Sequence, residues 1–280
     1  MNQTKEQNNE PRLPESDVAE SAVRRRMLKS FGWFALAAAV PVGVYSWIKS
    51  SPKLLGVKKP LRRVLDVNER ISRTYFSNAN LVKTFPAEAA VKNARVNGFD
   101  GMHTPLPADW KLRVDRQGGE PLLLTMDDIR ALPKHELTYD FKCVEGWSQV
   151  QHWGGARLSD FLTKYALGTR PGLARPGLAK SSNGPGPDNP DDLFKHVGME
   201  TPDGGYYVGI DMESAMHPQT LLAYELNGQP ISNQHGAPVR LIVPVKYGVK
   251  NLKRIGRIFF SDTRPRDFWT ERGYDYYLGL

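Results

Sequence analysis

The sequence predicts an α+β fold of strand-rich mixed sheets with short helices, and three observations predict it. From about Ile71 onward, short apolar runs alternate with turn residues, the punctuation expected of strands. Helical patterns in that region are brief. The run Tyr224-Glu225-Leu226-Asn227-Gly228-Gln229-Pro230 reads as a strand entering an Asn-Gly turn, the strongest short hairpin signal. Short helices among antiparallel strands define the α+β class.

In chain order, residues 1–23 are polar and read as a disordered cytoplasmic tail. Arg24-Arg25-Arg26-Met27-Leu28-Lys29 follows and precedes an uncharged run from Phe31 to Ile48. Paired arginines, a large apolar pair and Lys resemble a twin-arginine export signal; an ordinary positive flank on a membrane helix is the alternative. As a helix, residues 31–48 would span about 27 Å, close to the hydrocarbon thickness of a bilayer. Residues 24–48 are therefore read as a twin-arginine signal and membrane anchor. Membrane contact is expected through residues 31–48, and Ala37-Ala38-Ala39 offers an alternative cleavage site. Residues 49–70, basic and carrying Pro52, Gly56 and Pro60, read as a linker, and residues 71–280 as the folded domain.

Within that domain, strands are expected at residues 110–114, 136–143, 206–210 and 239–243. Helices are expected at 126–131 and 158–167, and around 214–216. Residues 168–192 contain RPGLA twice in tandem and then a stretch rich in Ser, Asn, Gly, Pro and Asp. Such a composition buries too little apolar surface to order itself, so a flexible surface insertion is expected.

The chain has 280 residues, 40% of them hydrophobic, which suits a packed core. Its charge is +8, with 38 Lys and Arg against 30 Asp and Glu. That excess attracts anions but does not choose among phosphate, lipid and nucleic acid. With no helix-turn-helix or RNA-binding signature, it is read as membrane-proximal and phosphate-binding, without a nucleic-acid partner. A single cysteine, Cys143, excludes an intrachain disulfide. The histidines lack metal-ligand spacing and Ser148 lacks a nucleophile elbow, so a zinc hydrolase and a serine hydrolase are both disfavoured.

The chemistry concentrates in three segments. Phe141-Lys142-Cys143-Val144-Glu145-Gly146-Trp147-Ser148 places the cysteine where an alternating strand runs into a loop, a position from which a rigid scaffold presents a reactive group. Gln234-His235-Gly236-Ala237-Pro238-Val239-Arg240 joins a turn to an arginine at a strand start. Lys246-Tyr247-Gly248-Val249-Lys250-Asn251-Leu252-Lys253-Arg254 packs cations around a glycine, either a solvated basic face or a phosphate site.

Together with Ala215-Met216-His217-Pro218, these segments occur in the order found in the sulfite-oxidase superfamily of molybdopterin-dependent oxidoreductases. The chain resembles that superfamily over about residues 71–278, most nearly its catalytic subunits of periplasmic protein-methionine-sulfoxide reductases. The resemblance implies a sulfite-oxidase-type molybdopterin-binding fold and a molybdenum-molybdopterin cofactor (Mo-MPT), with Cys143 as the metal ligand and the catalytic residue. It also implies cofactor contacts from Thr201, His235, Arg240 and the stretch Asn251, Leu252, Lys253. An N-terminal cofactor segment is expected near residues 71–85; its Asn then Tyr-Glu motif is absent there, and Arg73, Phe76 and Ser77 occupy the nearest positions.

Where sulfite oxidases carry an arginine-bearing segment after the cysteine, this chain has Val144-Glu145-Gly146-Trp147. A carboxylate there repels sulfite, and an indole packs on a neutral group. The expected function is therefore oxygen-atom transfer, reducing a small-molecule or protein-bound sulfoxide-type substrate. Oxidation of sulfite or another small anion is the alternative on this fold, and a non-catalytic anchored anion-binding protein a remoter one. Lacking haem and iron–sulfur motifs, the chain is expected to receive electrons from a membrane partner, and the resemblance implies a haem-type membrane donor in the periplasm.

Overall fold

The computed structural model describes residues 15–77, 79–116, 118–170 and 192–280. The chain divides into two units, residues 1–52 with 58–60, and residues 53–57 with 61–280. In the first, helix α1 (Glu15–Ser50) carries Pro41 inside it. Its part Val23–Ser50 is long and apolar enough to cross a membrane. Within the expected disordered tail, Glu15–Val23 is already helical, because it continues an unbroken helix.

Two short strands, Lys53–Leu54 (β1) and Val57–Lys58 (β2), lead to helix α2, Lys59–Tyr75. The expected linker at 49–70 is thus largely helical. Pro60 stands at the second position of α2, within the first turn where its missing N–H costs no hydrogen bond. Arg62 anchors the helix by donating to the carbonyls of Tyr274 (2.7 Å), Thr270 (3.0 Å) and Leu55. Glu69, one face-repeat later, accepts from Arg264 at 2.6 Å.

The rest of the second unit is built on two five-stranded sheets. Its elements, in order, are β3 (Leu112–Val114), β4 (Leu122–Leu124), α3 (Met126–Arg130), β5 (Lys134–Lys142), β6 (Ser148–Arg157) and α4 (Leu158–Lys164). They continue with β7 (His196–Glu200), β8 (Tyr207–Asp211), α5 (Met212–Ala215), β9 (Leu221–Leu226), β10 (Gln229–Pro230), β11 (Arg240–Ile242) and β12 (Arg257–Ser261). One sheet runs β10-β9-β6-β5, with β11 also on β9, and all its pairings are antiparallel. The other runs β4-β3-β12-β7-β8 and is mixed, because β12 pairs parallel to β3. The strands expected at 110–114, 136–143, 206–210 and 239–243 are all present, as is the Asn227-Gly228 turn. Residues 171–191, most of the expected insertion, lie outside the described residues.

The antiparallel sheet is buried on both faces, and its two-residue period sorts side chains between two cores. Leu222, Tyr224 and Leu241 join the larger core with Leu112, Met199 and Ile258 of the mixed sheet. Leu221, Ala223 and Ile242 point the other way, into a smaller core with Leu137, Tyr139, Phe141 and Trp153. Continuing that alternation along β5 places Cys143 on the smaller-core face. Arg240, two residues from Ile242, faces the same side.

Asp211 illustrates how the loops are pinned. It caps α5 by accepting from the Ser214 amide at 2.8 Å and pairs with buried Lys246 at 2.9 Å. Burial alone would raise its carboxyl, yet the Lys246 cation and the cap bonds outweigh that and hold it at about 2. Because the folded value lies below the unfolded one, the carboxylate's contribution is present above pH ~4 and is lost as pH falls toward 2; burial meanwhile pulls the Lys246 pKa down to about 8, so the pair is fully charged only between those limits. Replacing Asp211 with Asn leaves Lys246 as an uncompensated buried cation and is expected to cost about 3–5 kcal/mol in urea unfolding. A loss below about 1 kcal/mol would contradict the pairing.

Candidate active site

Beyond β5 the chain turns tightly before β6. The Cys143 amide donates to the Trp147 carbonyl at 2.9 Å, and the Gly146 amide donates back to the Cys143 carbonyl at 3.1 Å. The turn fixes the sulfur at the wall of a cavity of about 290 Å³, lined also by Asn97, Glu145, Trp147, His235, Arg240 and Lys253. Cys143 is buried and free. Burial pushes its thiol pKa up, partly opposed by the Glu145 amide. The side-chain amide of Asn97 lies 3.8 Å from the sulfur. A thiol so placed is a poor free nucleophile and a suitable ligand for a metal that displaces its proton.

At the mouth, the Glu145 carboxylate accepts from the Trp147 indole at 3.0 Å and from Asn97 at 3.1 Å, and those bonds hold it below the usual carboxylate range. The Trp147 ring stacks on Phe141 at 6.0 Å, and the Arg95 guanidinium lies 4.9 Å from its centroid. The mouth therefore offers one ionised carboxylate and a flat aromatic surface.

The inner wall is cationic. Arg240 is 4% exposed and donates to the carbonyls of His235 (2.9 Å) and Asn251 (3.1 Å), while its Nε has no hydrogen-bond partner among the described residues. Burial pulls its pKa down to about 10. Lys253 donates to the carbonyls of Gly98 (2.9 Å) and Gln234 (2.7 Å). Burial and then Arg240 bring its pKa down to about 7. No ion pair with a carboxylate is formed by either cation among the described residues. A buried and a half-buried cation facing one cavity are costly unless an anion neutralises them. Glycine lets this wall pack tightly: a Cβ on Gly248 would lie 2.8 Å from the Phe141 ring, and one on Gly236, at φ 101°, would lie 2.7 Å from the Lys253 Cβ. A thiol on one side and two cations without a carboxylate partner on another suit a metal cofactor bearing a phosphate.

Five of the expected site residues meet here: Cys143, His235, Arg240, Asn251 and Lys253. His235 lines the cavity, but both ring nitrogens have protein partners, Ser232 Oγ at 3.0 Å and the Ala94 carbonyl at 3.3 Å. Burial and Arg240 lower its pKa, so it is held neutral while its carbonyl orients Arg240. Asn251 is locked by accepting from the Val243 amide at 2.6 Å.

The other five are placed elsewhere. Leu252, between two lining residues, turns its side chain into the larger core. Thr201 does not line the cavity; its hydroxyl donates to Asp203 at 2.6 Å and accepts from the Tyr206 amide at 3.0 Å, closing the β7–β8 turn. Tyr206, which that turn positions, does line it. Arg73 is engaged with Glu69 (3.8 Å) and Glu213 (3.7 Å). Phe76 and Ser77 border a separate groove. The N-terminal wall is supplied instead by Arg95, Asn97, Gly98 and Asp100. Asn97-Gly98-Phe99-Asp100 retains the residue types of the sought motif, with Phe for Tyr and Asp for Glu. A search by residue type, about twenty positions further on, would have found it.

The chain belongs to the oxidoreductase molybdopterin binding domain family, whose model matches residues 101–269. It is thus a molybdenum-dependent oxidoreductase of the sulfite oxidase superfamily, with a molybdenum-molybdopterin cofactor. Among its relatives is the protein-methionine-sulfoxide reductase catalytic subunit MsrP of Xanthomonas campestris pv. campestris, 30% identical over 272 residues, covering 92% of this chain and 77% of that one. Among solved structures, the sulfane dehydrogenase SoxCD from Paracoccus pantotrophus matches with a TM-score of 0.44 and 19% identity. That match covers 67% of this chain and 46% of the other, so the chain spans less than half of it.

Proposed function

We propose that this protein reduces a sulfoxide-type substrate by oxygen-atom transfer at a molybdenum ligated by Cys143. The observation that carries the reading is the placement of the chain's one thiol in the wall of a cavity that also holds the unneutralised cations Arg240 and Lys253. Resemblance to a methionine-sulfoxide reductase subunit over 92% of the chain supports it. When bound, the cofactor supplies a metal that exchanges an oxygen atom with substrate while changing its oxidation state. Arg240 and Lys253 hold the cofactor's phosphate, and that anion keeps Lys253 charged. Asn97 orients the sulfur and, with Trp147, fixes Glu145. Conversion of a sulfoxide to a sulfide and water consumes electrons and protons. A chain with one cysteine and no haem motif draws the electrons from a partner, by family analogy a haem-bearing membrane protein. We further propose export by the twin-arginine route, with Val23–Ser50 retained as an anchor.

Substrate choice follows from the mouth. Ionised Glu145 repels an incoming sulfite, whereas a neutral sulfoxide packs on Trp147 without that penalty. Steady-state assays with reduced dye and methionine sulfoxide, set against sulfite and an acceptor dye, test this directly. Wild-type protein is expected to turn over the sulfoxide and not sulfite, and Glu145→Gln to raise relative activity on sulfite by about tenfold, the worth of one removed like-charge contact near a surface. Faster wild-type turnover of sulfite than of sulfoxide would overturn the assignment.

A further inference from the structure

Helix α2 is amphipathic in the inverse sense. Its charged residues Arg62 and Glu69 are turned into the domain, 4% and 3% exposed, where they meet main-chain carbonyls and Arg264. Its apolar residues face outward: Leu61, Val64 (56%), Val67, Ile71 (55%) and Tyr75 (77%) are all exposed. Leu61, Val64, Ile71 and Tyr75 recur at three-, seven- and four-residue steps, one face of a helix. A soluble surface helix would carry these two faces the other way round. The stripe is also longer than the helix. Ile71 and Tyr75 border a groove of about 610 Å³ whose wall continues through Leu81 and Leu280, both exposed, and which includes Lys83 and Lys142. A contiguous apolar surface of this kind marks an interaction site.

Two further facts choose the partner. Only eight residues separate Ser50, the end of the apolar helix, from Lys59, the start of α2. Fully extended, they reach about 30 Å. The stripe is also bordered by exposed Arg63 and Arg70, cations that meet anionic phosphates while apolar side chains enter the acyl boundary. We propose that the outward face of α2, together with the adjoining groove, lies in the interfacial layer of the membrane that holds Val23–Ser50, so that the domain is seated on an anionic lipid surface rather than swinging on a free tether. This inference rests on the retained-anchor reading and goes beyond it.

The test uses the full-length protein in isolated membranes, with photoreactive p-benzoyl-phenylalanine incorporated at Ile71, at Tyr75 or, as a control, at exposed Leu123 of β4. All three positions are exposed and outside the cavity, so folding and cofactor loading are unaffected. After irradiation, intact mass is expected to show phospholipid adducts at positions 71 and 75 and their loss at 123. If the protein floats with the membranes but 71 and 75 give no lipid adduct, or no more than 123, the interfacial placement is wrong while the anchor stands. Adducts to another polypeptide in place of lipid overturn it in favour of a protein partner. Protein that fails to float with the membranes ends the anchor reading and this inference together.

Discussion

Cys143→Ser is expected to abolish turnover while leaving the fold in place. The turn that carries Cys143 is closed by backbone bonds to Trp147 and Gly146 and does not use the sulfur. Among the described residues, the one side-chain hydrogen-bond partner of the thiol is Asn97, at 3.8 Å. Exchanging sulfur for oxygen there removes little packing and leaves a hydroxyl within reach of the same amide, so stability should change by about 1 kcal/mol or less. The chemistry has no such tolerance. A thiolate is a soft, strongly donating ligand, whereas a serine hydroxyl is hard and does not ionise near neutral pH. Loss of activity should exceed the roughly 10–100-fold that changes in a metal's outer shell produce. Dye-coupled assays paired with thermal melts read both arms. A variant that melts normally and keeps turnover within about tenfold of wild type would exclude a sulfur–metal bond, since even outer-shell changes commonly cost more.

Arg240→Met should empty the cavity of cofactor without unfolding the protein. In the wild type, Arg240 is a buried cation whose Nε has no hydrogen-bond partner among the described residues and whose two other nitrogens donate to carbonyls. Without a bound anion it is a burden on the fold. With a phosphate it supplies charge-assisted hydrogen bonds worth about 1.5–3 kcal/mol each, or roughly 10–100-fold in affinity per bond. Methionine keeps much of the volume over the Trp153 ring, which lies 4.7 Å from the guanidinium, and removes the charge. The expected result is a sharp fall in molybdenum content with an unfolding midpoint, measured on cofactor-free protein, equal to or above that of the wild type. Arg240→Lys, which retains a point charge but loses the fork, should fall between them. Full molybdenum occupancy in Arg240→Met would show that the phosphate is held elsewhere.

What the sequence disclosed and what it hid have physical causes. The strand β5 was legible because Leu137, Tyr139 and Phe141 alternate with polar Glu136, Thr138, Asp140 and Lys142, and the same period delivers Cys143 to the site. Its partner β6 was not, because it opens with polar Ser148 and Gln149 and breaks register at Gly154 and Gly155, a bulge no local pattern announces. Helix α2 was concealed by its inverted faces: Arg62 and Glu69 read as solvated linker charges, and only the tertiary contacts to Tyr274, Thr270 and Arg264 reveal them as anchors. In the site, Cys143 stood out at a strand end and Lys253 in a glycine-bearing basic run, but their roles, like that of Arg240 at a strand start, came from the resemblance. Leu252 came with the resembling stretch 251–253, and its side chain turns into the larger core. The Asn97 segment was missed because its motif survives only in residue type, and long-range packing, not spacing, brings it to Cys143.

The most direct measurement is molybdenum content and thiol reactivity on one sample, purified after export from a host that makes the pterin cofactor. The account predicts molybdenum stoichiometric with protein and a Cys143 that resists alkylation until the metal is removed. A thiol that alkylates freely in protein carrying no molybdenum, or one that alkylates with the metal still in place, would contradict it.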